Sequence, residues 1–539
     1  MQDLFIEYVY LILIILALVM IANRLNIAYP IVLVLGGLIL SFVAEFSQIT
    51  IDPELVFFIF LPPLLYEAAW QVSWKEFWRW RRVITGFAFP IVIITACIIA
   101  LFSSFLIPGF TLALGFLLGG IISPPDAVAA TTIMRRVDVS KAQVNIAEGE
   151  SLLNDASSLI VFRFALAAVI TGQFQVQDAA VSFFVVVIMG AVIGILVGVI
   201  FYAVHRWLPT TSGIEIVLTL VTPYCMYYAA EHFHYSGVLA VVSGGLFLSN
   251  RRQSMLSFRT RVEGVNVWNS LVFVLNGLVF MLIGLQLPSI TRQLGETSIG
   301  AAIWYGLAIS FVLVVARILC TLGASVFTTF MSRFITVADS HPGWRNPLIL
   351  GWSGMRGVVS LAMALSIPLY ASGAEPFPYR NLILFITFIV ILVTLVFQGL
   401  TLPWVIRKVH AEDKFTGIPE RDQELIIQKK IVDGSLKYLD EKYGKESVEN
   451  EYLDNLVARL ETDLRMLEKK LEPTDDPREN PSTEYSVIYL DLLDRQRKLL
   501  TELNRSAELD EDLIRKYLSL IDLEELKIRA KRLNEGDSG

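Results

Sequence analysis

The first 410 residues are a succession of long apolar stretches separated by short polar breaks. A bilayer core about 30 Å thick takes about 20 apolar residues per helical crossing. That ruler predicts thirteen transmembrane helices, near residues 4–22, 28–46, 55–73, 83–107, 110–134, 147–171, 178–205, 214–231, 236–249, 264–288, 298–332, 346–371 and 381–406. The opening Met1-Gln2-Asp3 lacks the basic start of a signal peptide, so the first stretch is read as a helix that stays. From about 411 the pattern changes. Leu453, Leu456, Leu460, Leu464, Leu467 and Leu471 recur in steps of three and four, the spacing of an amphipathic helix. A breaker follows at 472–477, and further helical patterns run over 485–504 and 511–533. The expected architecture is all-α, with a polytopic membrane domain over 1–410 and a helical, possible regulatory tail over 411–539.

The polar breaks carry their own information, because Lys and Arg are retained on the cytoplasmic side of a membrane. Alternate loops hold Arg24; Lys75, Arg79, Arg81 and Arg82; Arg135, Arg136 and Lys141; Arg206; Arg251, Arg252, Arg259 and Arg261; Arg333 and Arg345; and Arg407 and Lys408. The opposite loops hold Arg292 and Arg380. A miscounted helix would scramble this alternation, so the expected topology has the N-terminus outside and the tail in the cytoplasm. Composition agrees: 55% of the 539 residues are hydrophobic and 18% charged, too apolar for a soluble protein of this length. Residues 1–410 carry 22 basic against 19 acidic residues, and 411–539 carry 22 against 32. An acidic tail argues against nucleic acid as a partner. Cys97, Cys225 and Cys320 lie in apolar runs without metal or redox spacing and are expected to be buried hydrophobes.

Ionisable groups at membrane depth are costly unless they face protein or water, so they mark function. Here they are Glu67, Asp126, Glu148, Glu150, Asp155, Arg163, Arg317 and Arg356. Two crossings are also interrupted. Ile121-Ile122-Ser123-Pro124-Pro125-Asp126 removes two backbone donors in mid-membrane, and Gly351-Trp352-Ser353-Gly354-Met355-Arg356-Gly357 sets three glycines around an arginine. With the seventh segment as a linker, these breaks fall on the fifth and twelfth crossings, at matching positions of two inverted repeats, which points to a transporter's binding site.

In Glu148-Gly149-Glu150-Ser151-Leu152-Leu153-Asn154-Asp155, helical spacing puts Ser151 and Asp155 on one face with Asn154 beside them. A hydroxyl, an amide carbonyl and a carboxylate are oxygen ligands of the kind hard alkali cations prefer. One carboxylate can hold either a proton or a cation, and that competition is what antiport requires. Composition also admits a cation channel or an ion-sensing membrane protein. Glu231-His232-Phe233-His234 lacks a third strong ligand at convincing spacing and reads as interfacial polarity. Arg163 reads as structural, snorkelling toward the outer surface. The tail holds no phosphate loop, nucleotide fingerprint or enzyme motif, and neither a cofactor nor catalysis is expected.

Residues 5–410 resemble the cation/proton antiporter-1 family, which includes bacterial sodium/proton antiporters and the animal and plant exchangers. The resemblance is carried by Gly149-Glu150-Ser151-Leu152-Leu153-Asn154-Asp155, by Leu61-Pro62-Pro63-Leu64-Leu65-Tyr66-Glu67, by Pro125-Asp126-Ala127-Val128-Ala129 and by Gly354-Met355-Arg356-Gly357. It implies a cell-membrane antiporter of Na⁺, or of K⁺ or Li⁺, against H⁺, working as a homodimer in the lipid bilayer. It implies Asp155 as the carboxylate that holds the transported ion, with Asn154, Ser151, Asp126 and Glu67 near it. It further implies a Glu150–Arg356 ion pair bracing the core, and a one-for-one, electroneutral exchange from the Asn154-Asp155 pair. Many relatives have Thr-Asp-Pro where this chain has Pro125-Asp126-Ala127, so either Ser123 or Thr131 is expected to replace the missing hydroxyl, or backbone carbonyls freed by the prolines are expected to serve the ion instead.

Overall fold

A computed structural model describes residues 2–25, 27–43, 56–137, 139–172, 176–292, 294, 297–334, 337–339, 341–371, 375–409, 420–443, 451–471, 481–503 and 511–536. Among them the secondary structure is helical, apart from one isolated β-bridge between Tyr370 and Pro376. The chain forms two compact units, residues 1–413 and 414–539.

Each predicted apolar stretch contains helix where described, although the one predicted over 346–371 leaves the helix after Leu365. The helices are α1 (Gln2–Arg24), α2 (Tyr29–Leu40), α3 (Leu61–Gln71, preceded by a π-helical turn Val56–Phe60), α4 (Trp74–Gly86), α5 (Val92–Leu106), α6 (Leu112–Ile122), α7 (Ala127–Met134), α8 (Lys141–Thr171), α9 (Val176–Trp207), α10 (Ser212–His232), α11 (Gly237–Met255) and α12 (Phe258–Leu285). There follow α13 (Leu287–Arg292), α14 (Ile299–Met331), α15 (Arg345–Trp352), α16 (Val358–Leu365), α17 (Arg380–Val393) and α18 (Gly399–Val409). The π-helical segments Phe87–Ile91 and Thr394–Gln398 join α4 to α5 and α17 to α18. Among the described residues, eight helical runs are long and apolar enough to cross a membrane. Serines and threonines start several of these helices. Thr111, Ser140, Ser236, Ser257 and Ser298 each accept a hydrogen bond from the backbone N–H three residues on, satisfying a donor that the helix itself leaves orphaned.

The helices fall into two packed groups. In one, α2 lies along α12, α9 along α11, and α3 and α10 against α11. In the other, α6 packs between α5 and α8, while α14 lies against α15, α17 and α5. Close approach in the second group rests on small residues: Gly115 and Gly119 of α6 face the backbone of Ala100 and Ala96 on α5, where a Cβ at either glycine would meet a carbonyl. In lipid, where helices gain no hydrophobic drive to associate, such backbone contact supplies the attraction. The three cysteines are half-buried rather than buried, and free.

The second unit contains α19 (Glu420–Tyr443), α20 (Glu451–Leu471), α21 (Pro481–Leu503) and α22 (Glu511–Gly536). α19 packs on α20 and α21 on α22. The expected breaker at 472–477 lies outside the described residues.

Candidate functional site

The two predicted breaks are present, and they cross each other. The fifth crossing is α6 and α7 separated by Ser123–Asp126, and the twelfth is α15 and α16 separated by Ser353–Gly357. Pro124 and Pro125 have no N–H, and the Asp126 N–H donates to the Met355 carbonyl (2.7 Å) instead of back into its own helix. The last carbonyls of α6 are thereby released. Arg356 collects them: its Nε donates to the Ile122 carbonyl (2.6 Å) and one terminal nitrogen to the Ser123 carbonyl (3.0 Å), while the other terminal nitrogen donates to the Gly354 carbonyl of its own break. A cation at the C-terminal end of a helix is favoured by the partial negative charge there. Asp126 has the opposite setting. It caps α7, its Oδ1 accepting from the Val128 N–H (2.8 Å), and it lies against Gly357 at the start of α16, where a Cβ would overlap its carboxylate. Glycine at 357 is what lets the acidic group approach the second half-helix.

Helix α8 is stitched onto this crossing. Ser151 Oγ accepts from the Ala127 N–H (3.2 Å), and Asn154 Nδ2 donates to the Pro125 carbonyl (3.2 Å). Both polar groups therefore hold the broken backbone, and Asn154 Oδ1 is left buried with no hydrogen-bond partner among the described residues. Asp155 is 6% exposed. Its backbone carbonyl accepts from Ser158 Oγ (3.0 Å), but among the described residues nothing donates to its carboxylate.

That carboxylate faces a cavity of about 310 Å³. From the second group of helices the cavity takes Pro124, Pro125, Asp126, Thr131, Ser151, Asp155 and Gly357, and from the first it takes Tyr29, Glu67, Asn269 and Asn276. Thus Asp155, Asp126, Ser151 and Glu67 line one space between the two groups. Glu67 already accepts a hydrogen bond from Gln71 Nε2. Glu148, also on the wall, is paired with Arg135 (2.8 Å). Of the two expected hydroxyl replacements, Thr131 lines the cavity and Ser123 does not; Ser123 Oγ is buried without a partner among the described residues.

The expected Glu150–Arg356 pair is not formed. Glu150 takes Arg317 of α14 instead, with one guanidinium nitrogen at 2.9 and 3.0 Å from its two oxygens. The physical reason is the proline break: it hands Arg356 two carbonyls, those of Ile122 and Ser123, beside that of Gly354 in its own segment, so that arginine needs no carboxylate, and α14 brings Arg317 to the face of α8 where Glu150 points. Arg163 pairs with Glu231 at 2.8 Å, a structural contact between α8 and α10. Among the described residues no cluster of His, Cys, Asp and Glu could hold a resident metal. Asn269 and Asn276 escaped the sequence reading. They stand seven residues apart on α12, two turns along one face, and that regular polar spacing inside an apolar run was the available signal.

The model of the sodium/hydrogen exchanger transmembrane family matches residues 10–408. The chain belongs to this family. This family member is therefore an integral, multi-pass membrane protein related to monovalent cation/proton antiporters. It is similar to the sodium, potassium, lithium and rubidium/H⁺ antiporter of Bacillus subtilis, 32% identical over 406 residues; the match covers 73% of this chain but 60% of that protein's length. It is also similar to the low-affinity Na⁺/H⁺ antiporter NhaS1 of Synechocystis, 31% identical over 391 residues, covering 71% of this chain and 69% of that one. In fold it resembles the sodium proton antiporter MjNhaP1 from Methanocaldococcus jannaschii, with a TM-score of 0.58 at 18% identity over 76% of this chain and all of that one.

Proposed function

We propose that the protein exchanges a monovalent cation, Na⁺ first, for H⁺ by alternating access, with the Asp155 carboxylate holding cation and proton in turn. The observation that carries this reading is a buried carboxylate with no donor of its own, facing a cavity at the crossing of two broken helices. Carboxylate oxygens are the hard donors an alkali cation needs on losing water, and Asp126 adds negative charge on the same wall, whereas Asn154, expected near the ion, is fully buried and does not line the cavity. Ser151 and most of the Asn154 side chain serve to hold the break. The two packed groups are the parts that would move: α5, α6, α8 and α14–α17 carry the ion past α2, α3 and α9–α12, exposing it to each side.

With one exchangeable carboxylate at the carrier position, one cation crosses for each proton, so the exchange is electroneutral and serves pH and sodium homeostasis. An imposed membrane potential that shifted the steady-state sodium gradient in proteoliposomes would count against this. The loop charges support a topology with the N-terminus outside and the tail in the cytoplasm, checked by cysteine labelling of the two ends from each side. The working form is a homodimer joined through the first group of helices; light scattering in detergent that returned the mass of one chain would remove that assignment. The range of cations named for the Bacillus subtilis antiporter makes K⁺ and Li⁺ secondary substrates to test.

The direct test is cation-driven proton flux in everted vesicles for wild type and Asp155→Asn. Wild type should respond to Na⁺, and the variant, present at the same level, should lose at least about a hundredfold in rate, the scale expected when a group acting in the chemistry itself is removed. Full exchange in Asp155→Asn would overturn the assignment.

A further inference from the structure

Helix α4 reads Trp74-Lys75-Glu76-Phe77-Trp78-Arg79-Trp80-Arg81-Arg82-Val83-Ile84-Thr85-Gly86, and its residues 74–82 fall between the predicted crossings. At about 100° per residue its side chains sort into faces. Phe77, Trp80 and Ile84 share one face, and Trp80 and Ile84 are buried. Lys75, Arg79 and Arg82 share the opposite face, all exposed. Trp74, Trp78 and Arg81 lie along one flank, with the two indoles exposed and stacked at 5.9 Å. Arg81 lies over the Trp78 ring at 4.5 Å and donates to the Trp78 carbonyl. The single acid, Glu76, accepts from the buried Trp80 indole (3.2 Å) and lies 3.8 Å from Arg79. Four basic residues against one acid leave these roughly two turns of helix strongly cationic.

Its position follows from length. α4 continues through Phe87–Ile91 into α5, and residues 87–106 extend about 30 Å at 1.5 Å per residue, the full hydrocarbon thickness. Residues 74–86 are therefore left at the headgroup level, where tryptophans settle and where a cationic face meets lipid phosphates. We propose that the Lys75, Arg79, Arg82 face of α4, with Trp74, Trp78 and Arg81 on its flank, is a binding site for anionic phospholipid headgroups. The site is built onto the helix that carries Asp155. Ile84 packs against Gly149 of α8, and Ser157 of α8 donates to the Ala88 carbonyl (2.5 Å) just past α4. Lipid charge on α4 thus bears on α8 through two direct contacts.

The test is a thermal melt of the full chain, purified in neutral detergent, with added phosphatidylglycerol or phosphatidylcholine. Phosphatidylglycerol should raise the melting temperature and phosphatidylcholine should not. The triple substitution Arg79→Gln, Arg81→Gln, Arg82→Gln should weaken the apparent affinity for phosphatidylglycerol by about tenfold or more, while the triple Arg→Lys variant keeps it. Equal stabilisation by the two lipids, or an unchanged response in the Gln variant, would overturn the site. Should the Gln variant fail to fold, wild type decides alone: about 1 M salt, which shortens screening to about 3 Å, should abolish the phosphatidylglycerol-specific shift. A shift that persists there overturns the proposal equally.

Discussion

Glu150 and Asp155 stand five residues apart on the same helix, both buried and both acidic, yet their surroundings differ in kind. Glu150 is 2% exposed, with both oxygens engaged by Arg317. Asp155, 6% exposed, receives no donor among the described residues and faces the cavity. Burial alone therefore does not make an ion site. What separates the two is acceptor capacity left open toward a space that an ion can enter. A closed pair is a brace, because breaking it strands a charge; an open carboxylate keeps the acceptor capacity that the proposed carrier role of Asp155 requires.

Stability should separate the two acids most widely. Glu150→Gln leaves Arg317 buried without its counter-charge and should cost about 3–5 kcal/mol, read as a lower melting temperature in detergent. Asp155→Asn should melt close to wild type, and equal losses in the two variants would erase the distinction. Replacing the pair together, Glu150→Leu with Arg317→Met, should recover most of the loss, since an apolar pair of similar volume removes both desolvation penalties. A double variant as unstable as the single one would mean that the pairing is not the brace. A smaller effect is expected at the crossing itself: Gly357→Ala forces a Cβ into the Asp126 carboxylate and should cost about 1–3 kcal/mol as overpacking does, with exchange slowed, while Gly323→Ala on α14, where an added Cβ meets nothing within 4 Å, serves as the comparison.

The smallest effect is expected in the tail, where charge pairs are exposed. Arg497 reaches Asp522 (2.7 Å) and Glu525 (2.6 Å), and Arg529 reaches Glu525 (2.6 Å). Hydrogen bonds from Arg497 and then Arg529 hold the Glu525 carboxyl below its usual range. A depressed carboxyl contributes stability that is fully present above the unfolded value, about 4.3, and that is lost as pH falls through the lower folded value. The α21–α22 contact should therefore loosen only in acid below that point, weakly and with salt sensitivity. Hydrogen exchange over Pro481–Leu503 checks it: Arg497→Gln should abolish the acid step, and an identical step in the variant would assign it to other groups.

Much of the fold was legible in the sequence, because apolar length and proline and glycine interruptions are local signals. Pro124-Pro125 and Gly354-Met355-Arg356-Gly357 announced both breaks from their own chemistry. Residues 74–82 of α4 were missed for the opposite reason: their charged face hides a helix whose apolar contacts are made to α8 rather than to lipid. The partner of Glu150 was not legible either. It lies 167 residues away, and choosing Arg317 over Arg356 required knowing that the proline break releases carbonyls which satisfy Arg356 first. The same non-local logic turned Ser151 and Asn154 from free ligands into the stitches of the crossing. Asp155 was legible as a carboxylate on the right helix face, but its lack of a donor could only come from the packed structure.

The sharpest test measures proton release on cation binding. With purified protein in weakly buffered detergent and a pH indicator, adding Na⁺ should release one proton for each cation bound in wild type and in Glu67→Gln, and none in Asp155→Asn. Cation-driven proton release that persisted in folded Asp155→Asn would contradict a carboxylate shared by the two ions.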